Sequence, residues 1–461
     1  MTIAGRPAVC ESWIPVENPA TAAVFGRAPL SSAADVKAAV AAASAAARMW
    51  SRSSVTDRSI LLRACGEILH DHTEELAQLL TCEQGKPLRE ARDEVSLAAD
   101  WFGHTADLSS HLEPTGEQAG ITLERIPHGV VAAIAPSNYP IILAVVKLAP
   151  ALLAGNTVVV KPSPLTPLST LRMAELLTQR LPPGVINTVC GGAELGMALV
   201  THPGVDMVSF TGSVSAGRTI AAAAGRGLRR VVLELGGNDA CVVLPGADVT
   251  RIAPAVFAAA TRNCGQFCAA IKRVYVSRAQ ATDLAAALAE ACAAVTLGDG
   301  LDPATDLGPL VSKPQRERVT TLVAMAESAG GKAVSNCRPP DLSGHFFPPT
   351  VVSDLPPGTA LETDEQFGPA IPVIAYDEVQ EAVDLANASG YGLGGSVWGD
   401  SDTARPVAAA LRCGTVWVNT HGELRHDVPF GGLRDSGVGV EYGYWGLLEY
   451  TRIKVLNTSH R

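Results

Sequence analysis

The feature that most constrains this chain is a series of short apolar runs between residues 130 and 234, each closed by a turn signal and followed by a helical pattern. Val130–Ile134 ends at Pro136, and apolar residues at helical spacing follow over about 140–153. Thr157–Val160 is closed by Lys161-Pro162, and a helix fits 167–180. Val185-Ile186 leads into Gly191-Gly192, and Asp206–Phe210 into Thr211-Gly212-Ser213 and an alanine-rich helix. Apolar runs this short suit strands buried on both faces, bounded as they are by turn residues. Strands alternating with helices of 10–15 residues need crossover connections, so the segment predicts a parallel α/β sheet.

A second α/β unit is expected after Gly236-Gly237. Its strands are read at 241–244, 273–277, 371–376, 394–398 and 415–418, and its helices at 280–294, 314–328, 379–388 and 401–411. The Asp-, Pro- and Gly-rich segments 297–313 and 336–364 read as loops. Upstream, a surface helix is expected from near Ser32 with Asp35 in its first turn, then helices over 57–81 and 91–108. Glu113–Glu117 is a turn cluster. Ile121–Ile126 and Arg452–Leu456 alternate like half-exposed strands, and both are expected at an interface.

Composition removes several classes. With 461 residues, 47% of them hydrophobic, the chain can build more than one core. A net charge of −10 lacks the basic excess that binds nucleic acid or anionic membranes. The apolar stretch 140–154 is interrupted by Lys147 and two prolines and falls short of the ~20 residues needed to cross a bilayer. Ten cysteines form no CxxC pair and no zinc-like spacing with histidine, so no metal site is expected. The N-terminal residues carry no basic, apolar leader. Free thiols in a reducing, cytoplasmic setting are the simplest expectation.

Three stretches stand out chemically: Pro136-Ser-Asn138-Tyr-Pro140, Leu233-Glu234-Leu-Gly-Gly237 and Asn263-Cys264-Gly-Gln-Phe-Cys268. Together with Lys161-Pro-Ser163, Phe210-Thr-Gly-Ser213, Glu365-Gln-Phe367-Gly-Pro369 and Pro429-Phe-Gly-Gly432, they resemble the signatures of the aldehyde dehydrogenase superfamily. The motifs keep the family's order, with 34 residues from Glu234 to Cys268, and span nearly the whole chain. The resemblance implies an NAD(P)-dependent aldehyde dehydrogenase fold: two Rossmann-like parallel-sheet domains and a small β oligomerisation element. On it, residues 1–111 and 130–234 form the cofactor domain and 235–432 the catalytic domain. Residues 112–129 join the 433–461 tail in the oligomerisation element of a homodimer or homotetramer.

The resemblance makes Cys268 the nucleophile. A thiolate adding to an aldehyde gives a hemithioacetal, which can release hydride and become a thioester. Considered alone, a cysteine is as readily a small buried hydrophobe. Glu234, after the apolar Val231-Val-Leu, is the implied base, since a carboxylate in apolar surroundings is raised toward neutrality and can activate water. Asn138, with the Cys268 backbone N–H, is the implied oxyanion donor, because an amide donates without a charge that would neutralise the thiolate. Cys264, four residues earlier, would share a face with Cys268 if the stretch were helical, as a packing residue or a redox partner.

Cofactor contacts are implied for Pro136, Ser137, Lys161, Ser163, Phe210, Gly212, Ser213, Glu365 and Phe367. Gly192, in a loose relative of the GxGxxG fingerprint, joins them. Ser213 opens a helix whose amides can meet a pyrophosphate. Pro164 stands where NAD-preferring members commonly carry a glutamate, so both NAD and NADP remain open. For the substrate, Arg262 resembles the arginine with which semialdehyde dehydrogenases hold a distal carboxylate, or it salt-bridges within the fold. Phe267 and Arg425 are the other substrate candidates, Arg425 in a loop that with His421 and His426 is expected at the substrate mouth. A small polar or ω-carboxylated aldehyde follows as the expected substrate. The alternatives are an acylating enzyme whose thioester goes to CoA or phosphate, and a silent structural protein of the same fold.

Overall fold

The computed structural model describes residues 1–114, 116 and 120–458. Thr115 and Glu117 of the turn cluster and the last three residues of the tail segment lie outside them. The apolar runs become the centre of a six-stranded sheet in the order Gly437–Val438, Arg230–Glu234, Met207–Thr211, Val130–Ile134, Thr157–Lys161, Ile186–Thr188. All neighbours are parallel except Gly437–Val438, which returns antiparallel with Gly437 opposite Glu234. Helices cover both faces, so VVAAI, TVVVK and MVSFT are buried at every position.

A seven-stranded sheet follows in the order Lys332–Val334, Thr350–Ser353, Ala370–Tyr376, Ile271–Ser277, Asp239–Val243, Gly394–Trp398, Thr415–Val418, antiparallel only at its first edge. In the first sheet the chain runs outward from Val130–Ile134 in one direction and then resumes at Met207–Thr211 on its other side. Such a reversal of strand order opens a crevice beyond the carboxyl ends of the two strands. The loops there are Pro136–Asn138 and Gly212-Ser213. Cys268 stands just before the start of Ile271–Ser277, so the site combines strand ends of one sheet with a strand start of the other.

Several elements differ from expectation for identifiable reasons. Ser32 and Asp35 form a reciprocal capping box on the Ala33–Trp50 helix, but that helix is more than a surface element. Val36, Ala39, Val40, Ala43, Ala46 and Trp50 are buried. The helix expected over 57–81 is two, Val55–Asp71 and Thr73–Gln84, broken at His72, where Thr73 Oγ1 bonds the Leu69 and His70 carbonyls. The hairpin Trp13–Asn18/Ala23–Pro29 and the helix Val249–Thr261, its pattern interrupted by Pro254, were not legible. The supposed loop 336–364 contains the strand Thr350–Ser353.

Ile121–Pro127 pairs antiparallel with Thr451–Asn457, from Thr451↔Pro127 to Asn457↔Ile121. Within this chain the tail strand joins residues 121–127 in a two-stranded ribbon. Ile121, Ile453, Val455 and Leu456 are exposed on the ribbon. Among the described residues no helix is long and apolar enough to cross a membrane, and no cluster of histidine, cysteine and carboxylate side chains suits a metal ion.

Candidate active site

Cys268 and Glu234 each line two cavities, one of about 300 Å³ and one of about 500 Å³. Both residues are buried. Asn138 lines the larger cavity, and its Nδ2 donates to the Gln266 carbonyl at 3.1 Å, which leaves one N–H for an oxyanion. The thiol, the carboxylate and the amide expected to act together therefore do converge.

The segment leading to Cys268 is a left-handed turn. Asn263, Cys264 and Gly265 have φ of 49°, 55° and 72°. Left-handed backbone costs about 1–2 kcal/mol for each non-glycine residue, so the turn must be held from outside. Asn263 Nδ2 donates to the Asn138 carbonyl at 2.9 Å, and Gln266 Oε1 accepts from Val311 N at 2.8 Å. A Cβ at 265 would overlap the Gly368 carbonyl, so only glycine lets this turn lie against Gly368-Pro369. The same turn removes the helix on which Cys264 and Cys268 would share a face. Cys264 packs into the core of the second sheet and Cys268 into the larger core beside the first.

Burial, and then the charge of Glu441, push the Glu234 carboxyl up to about 8. Burial, and then the charge of Glu234, push the Cys268 thiol well above its ordinary value. Three buried lysines, which the sequence did not mark as part of the site, surround Glu234, Cys268 and Asn138. Lys147 Nζ lies 2.5 Å from Glu441 Oε1 and donates to Thr211 Oγ1 at 2.7 Å. Lys86 Nζ donates to Glu94 Oε2 at 2.6 Å and to the Asn138 carbonyl at 2.8 Å, while Glu94 Oε1 accepts from Ile141 N at 2.9 Å. Lys272 contacts the Cys268 carbonyl at 3.1 Å. The only available signal was a lysine, Lys147 or Lys272, inside an otherwise apolar segment.

The larger cavity is lined by Pro136, Ser137, Gly212, Ser213, Glu365 and Phe367. It fits a dinucleotide. Ser213 caps the Val214–Arg226 helix, whose first amides are suited to a pyrophosphate. A Cβ at 236 would overlap the Glu365 carboxylate, which accepts from Gly237 N at 3.2 Å. Lys161 ends the next strand. It is buried against Gly196, and burial lowers its ammonium to about 8. Among the described residues its Nζ donates only to the Pro162 carbonyl, at 3.0 Å, leaving donors for a sugar hydroxyl. Lys161, Ser163 and Gly192 lie outside this cavity, at the carboxyl ends of Thr157–Lys161 and Ile186–Thr188. Phe210 does not line this cavity; its ring is buried in the sheet's core and fills the space beside Gly212.

The smaller cavity is walled by Trp101, Tyr139, Phe267, Phe430 and Tyr442. Arg262 lines it from an exposed position, 5.2 Å from the Phe267 ring. Glu90 and Asp93 line it from the Leu88–Asp107 helix. Arg425 does not line it. That side chain is exposed and pairs with Asp427 through two contacts of 2.9 and 2.6 Å. His421 is not at a mouth either. It is buried, its imidazole is lowered to about 3 by that burial, and Nε2 lies 3.1 Å from the Ala269 carbonyl. His426 stacks on His104 with ring centroids 3.6 Å apart. From this loop the cavity takes Gly422 and Leu424 instead.

A cavity that ends at the N-terminus of the Val214–Arg226 helix and an apolar cavity share a buried thiol and a buried acid, an arrangement suited to an oxidoreductase working through a cysteine. The sequence profile of the aldehyde dehydrogenase family matches residues 7–456, and the chain belongs to that family. Phenylacetaldehyde dehydrogenase of Pseudomonas fluorescens is 39% identical over 96% of this chain and 91% of its own length. Betaine aldehyde dehydrogenase of Cereibacter sphaeroides is 36% identical over 98% and 95%. Among solved structures, a Cys-to-Ala variant of aldehyde dehydrogenase C from Pseudomonas syringae, complexed with NAD⁺ and octanal, superposes with a TM-score of 0.94. It is 38% identical, and the match covers 99% of this chain and 96% of that one. This chain is an NAD(P)-dependent enzyme that oxidises an aldehyde by hydride transfer through a cysteine.

Proposed function

We propose that Cys268, Glu234 and Asn138 carry this reaction on a neutral aldehyde with an aromatic or medium-length apolar body. The observation that carries the reading is that Cys268 and Glu234 line both the aromatic cavity and the one bordered by Ser213 and Glu365. Glu234, in its ionised fraction, takes the thiol proton, and sulfur bonds to the carbonyl carbon. Asn138 Nδ2 and the Cys268 N–H donate to the oxyanion. Ser213, Glu365 and Lys161 would hold NAD(P)⁺, which would accept the hydride that leaves the carbonyl carbon as the oxyanion collapses to the Cys268 thioester. After the thiol proton has passed to solvent, Glu234 takes a second one from the water that attacks the thioester, and collapse of the tetrahedral adduct breaks the carbon–sulfur bond to release the acid and the Cys268 thiolate. A base at this position favours hydrolysis over transfer to CoA or phosphate.

The aromatic walls support an apolar substrate over the small polar one expected from Arg262, whose charge is opposed by Glu90. One relative named for phenylacetaldehyde and a structure holding octanal point the same way. A steady-state panel of phenylacetaldehyde, octanal and succinate semialdehyde with NAD⁺ and NADP⁺ tests the reading. Higher kcat/KM for the first two is expected; preference for the semialdehyde, lost in Arg262→Ala, would replace it.

The expected domain division is retained, supported by first-sheet strands between 130 and 234 and second-sheet strands between 239 and 418. The exposed Ile121, Ile453, Val455 and Leu456 of the Ile121–Pro127/Thr451–Asn457 ribbon support a homodimer or homotetramer, which light scattering would measure. Ten unpaired cysteines fit a cytoplasmic setting.

A further inference from the structure

Lys272 is the second residue of the Ile271–Ser277 strand, four residues after Cys268, and its side chain is only 1% exposed. An ammonium so deep is costly unless its donors are satisfied. Here Nζ lies 2.7 Å from the Phe267 carbonyl, 3.1 Å from the Cys268 carbonyl, 3.5 Å from the Gly237 carbonyl and 3.4 Å from Glu365 Oε1. Two acceptors belong to the nucleophile segment, one to the turn after Glu234 and one to the carboxylate of the cofactor cavity. One cation thus joins three separate pieces of the site.

The surrounding charged and titratable groups are few. Glu365 and the buried Asp239 are both raised by burial, and Lys272 is the leading group opposing that rise in each. Arg273 turns away to the Asn238 carbonyl and Tyr275 Oη. His421 is held neutral. Cys268 feels Glu234 and Glu365 on one side of the balance and Lys272 on the other.

We propose that Lys272 is a positioning residue for the thioester chemistry: its ammonium fixes the Cys268 main chain to Glu365 and makes the thiolate easier to form. Removing it strands two carbonyls of the nucleophile segment and leaves Glu365 without its cation. The inference deepens the Cys268 reading and rests on it.

The test is the rate of iodoacetamide inactivation as a function of pH, with the modified cysteine mapped by peptide mass spectrometry and folding followed by thermal denaturation. Wild type, Lys272→Met and Lys272→Arg are compared. In Lys272→Met the profile moves to higher pH by one unit or more, a rate loss of about tenfold below the midpoint. Lys272→Arg, which keeps the charge, recovers much of that loss, and the Kd for NAD⁺ rises in Lys272→Met. A folded Lys272→Met whose profile superposes on wild type overturns the proposal, as does an Arg variant no better than Met. Should Lys272→Met fail to fold, Glu365→Gln reads the same linkage from its other end. Removing that carboxylate moves the profile to lower pH, and an unmoved profile overturns the proposal. Alkylation mapped to Cys268 that leaves activity intact would instead reject the nucleophile assignment.

Discussion

Glu441 accepts from Lys147 with one carboxylate oxygen at 2.5 Å, and its other oxygen, buried and without a hydrogen-bond partner among the described residues, is near enough to Glu234 to raise its pKa. The proposed base is therefore tuned by a neighbour 207 residues away in the chain. Replacing Glu441 by Gln removes a negative charge and makes Glu234 easier to ionise. The rising limb of the pH–rate profile for deacylation, centred near 8 in the wild type, should shift to lower pH. Stopped-flow measurement of thioester hydrolysis across pH 6–10 checks this; a limb that stays in place or moves upward contradicts it.

Glu234 also links stability to pH. Its folded-state carboxyl is raised to about 8 from an ordinary 4.5, so the native state holds this proton more tightly than the unfolded chain does. The resulting stabilisation is complete below about 4.5 and is lost as pH rises through about 8. In Glu234→Gln that loss is absent. The Tm difference, mutant minus wild type, should therefore grow between pH 5 and pH 9. A constant difference would show that the carboxyl is not raised.

Cys268→Ser should lower aldehyde turnover by at least about 10³-fold, the order seen when a nucleophile is removed. NAD⁺ binding, measured by calorimetry, should change little, because the pyrophosphate and ribose contacts lie on other elements. Undiminished turnover would reject the nucleophile.

Lys86 and Glu94 are buried together, and Glu94 also satisfies Ile141 N at the start of the Pro140–Leu153 helix. Lys86→Met leaves the carboxylate unpaired, and breaking a buried pair in this way costs about 3–5 kcal/mol. A lower urea midpoint is expected, together with reduced kcat, since Lys86 also holds the Asn138 carbonyl. An unchanged midpoint would mean that the pair adds nothing.

Trp101→Ala opens the aromatic cavity. It should raise KM for phenylacetaldehyde more than for acetaldehyde, since only the larger substrate reaches the indole. Equal effects on both would place the substrate elsewhere.

The sequence alone determined the two parallel sheets, because fully apolar runs of five residues closed by turn signals have few other uses. The resemblance of its short motifs to a known family also marked Cys268, Glu234, Asn138, Ser213 and Glu365. The tertiary structure decided what depends on long-range packing. It turned Asn263–Gly265 left-handed and so separated Cys264 from Cys268, and it sent His421 into the interior. It brought Lys147, Lys86 and Lys272 to the site as buried ions. Whether a charged side chain is a solvated surface group or a satisfied buried one depends on partners up to 294 residues away, as for Lys147 and Glu441. Local pattern carries no information about such partners, because the energy that fixes the charge comes from contacts made only when the sheets and their helices assemble.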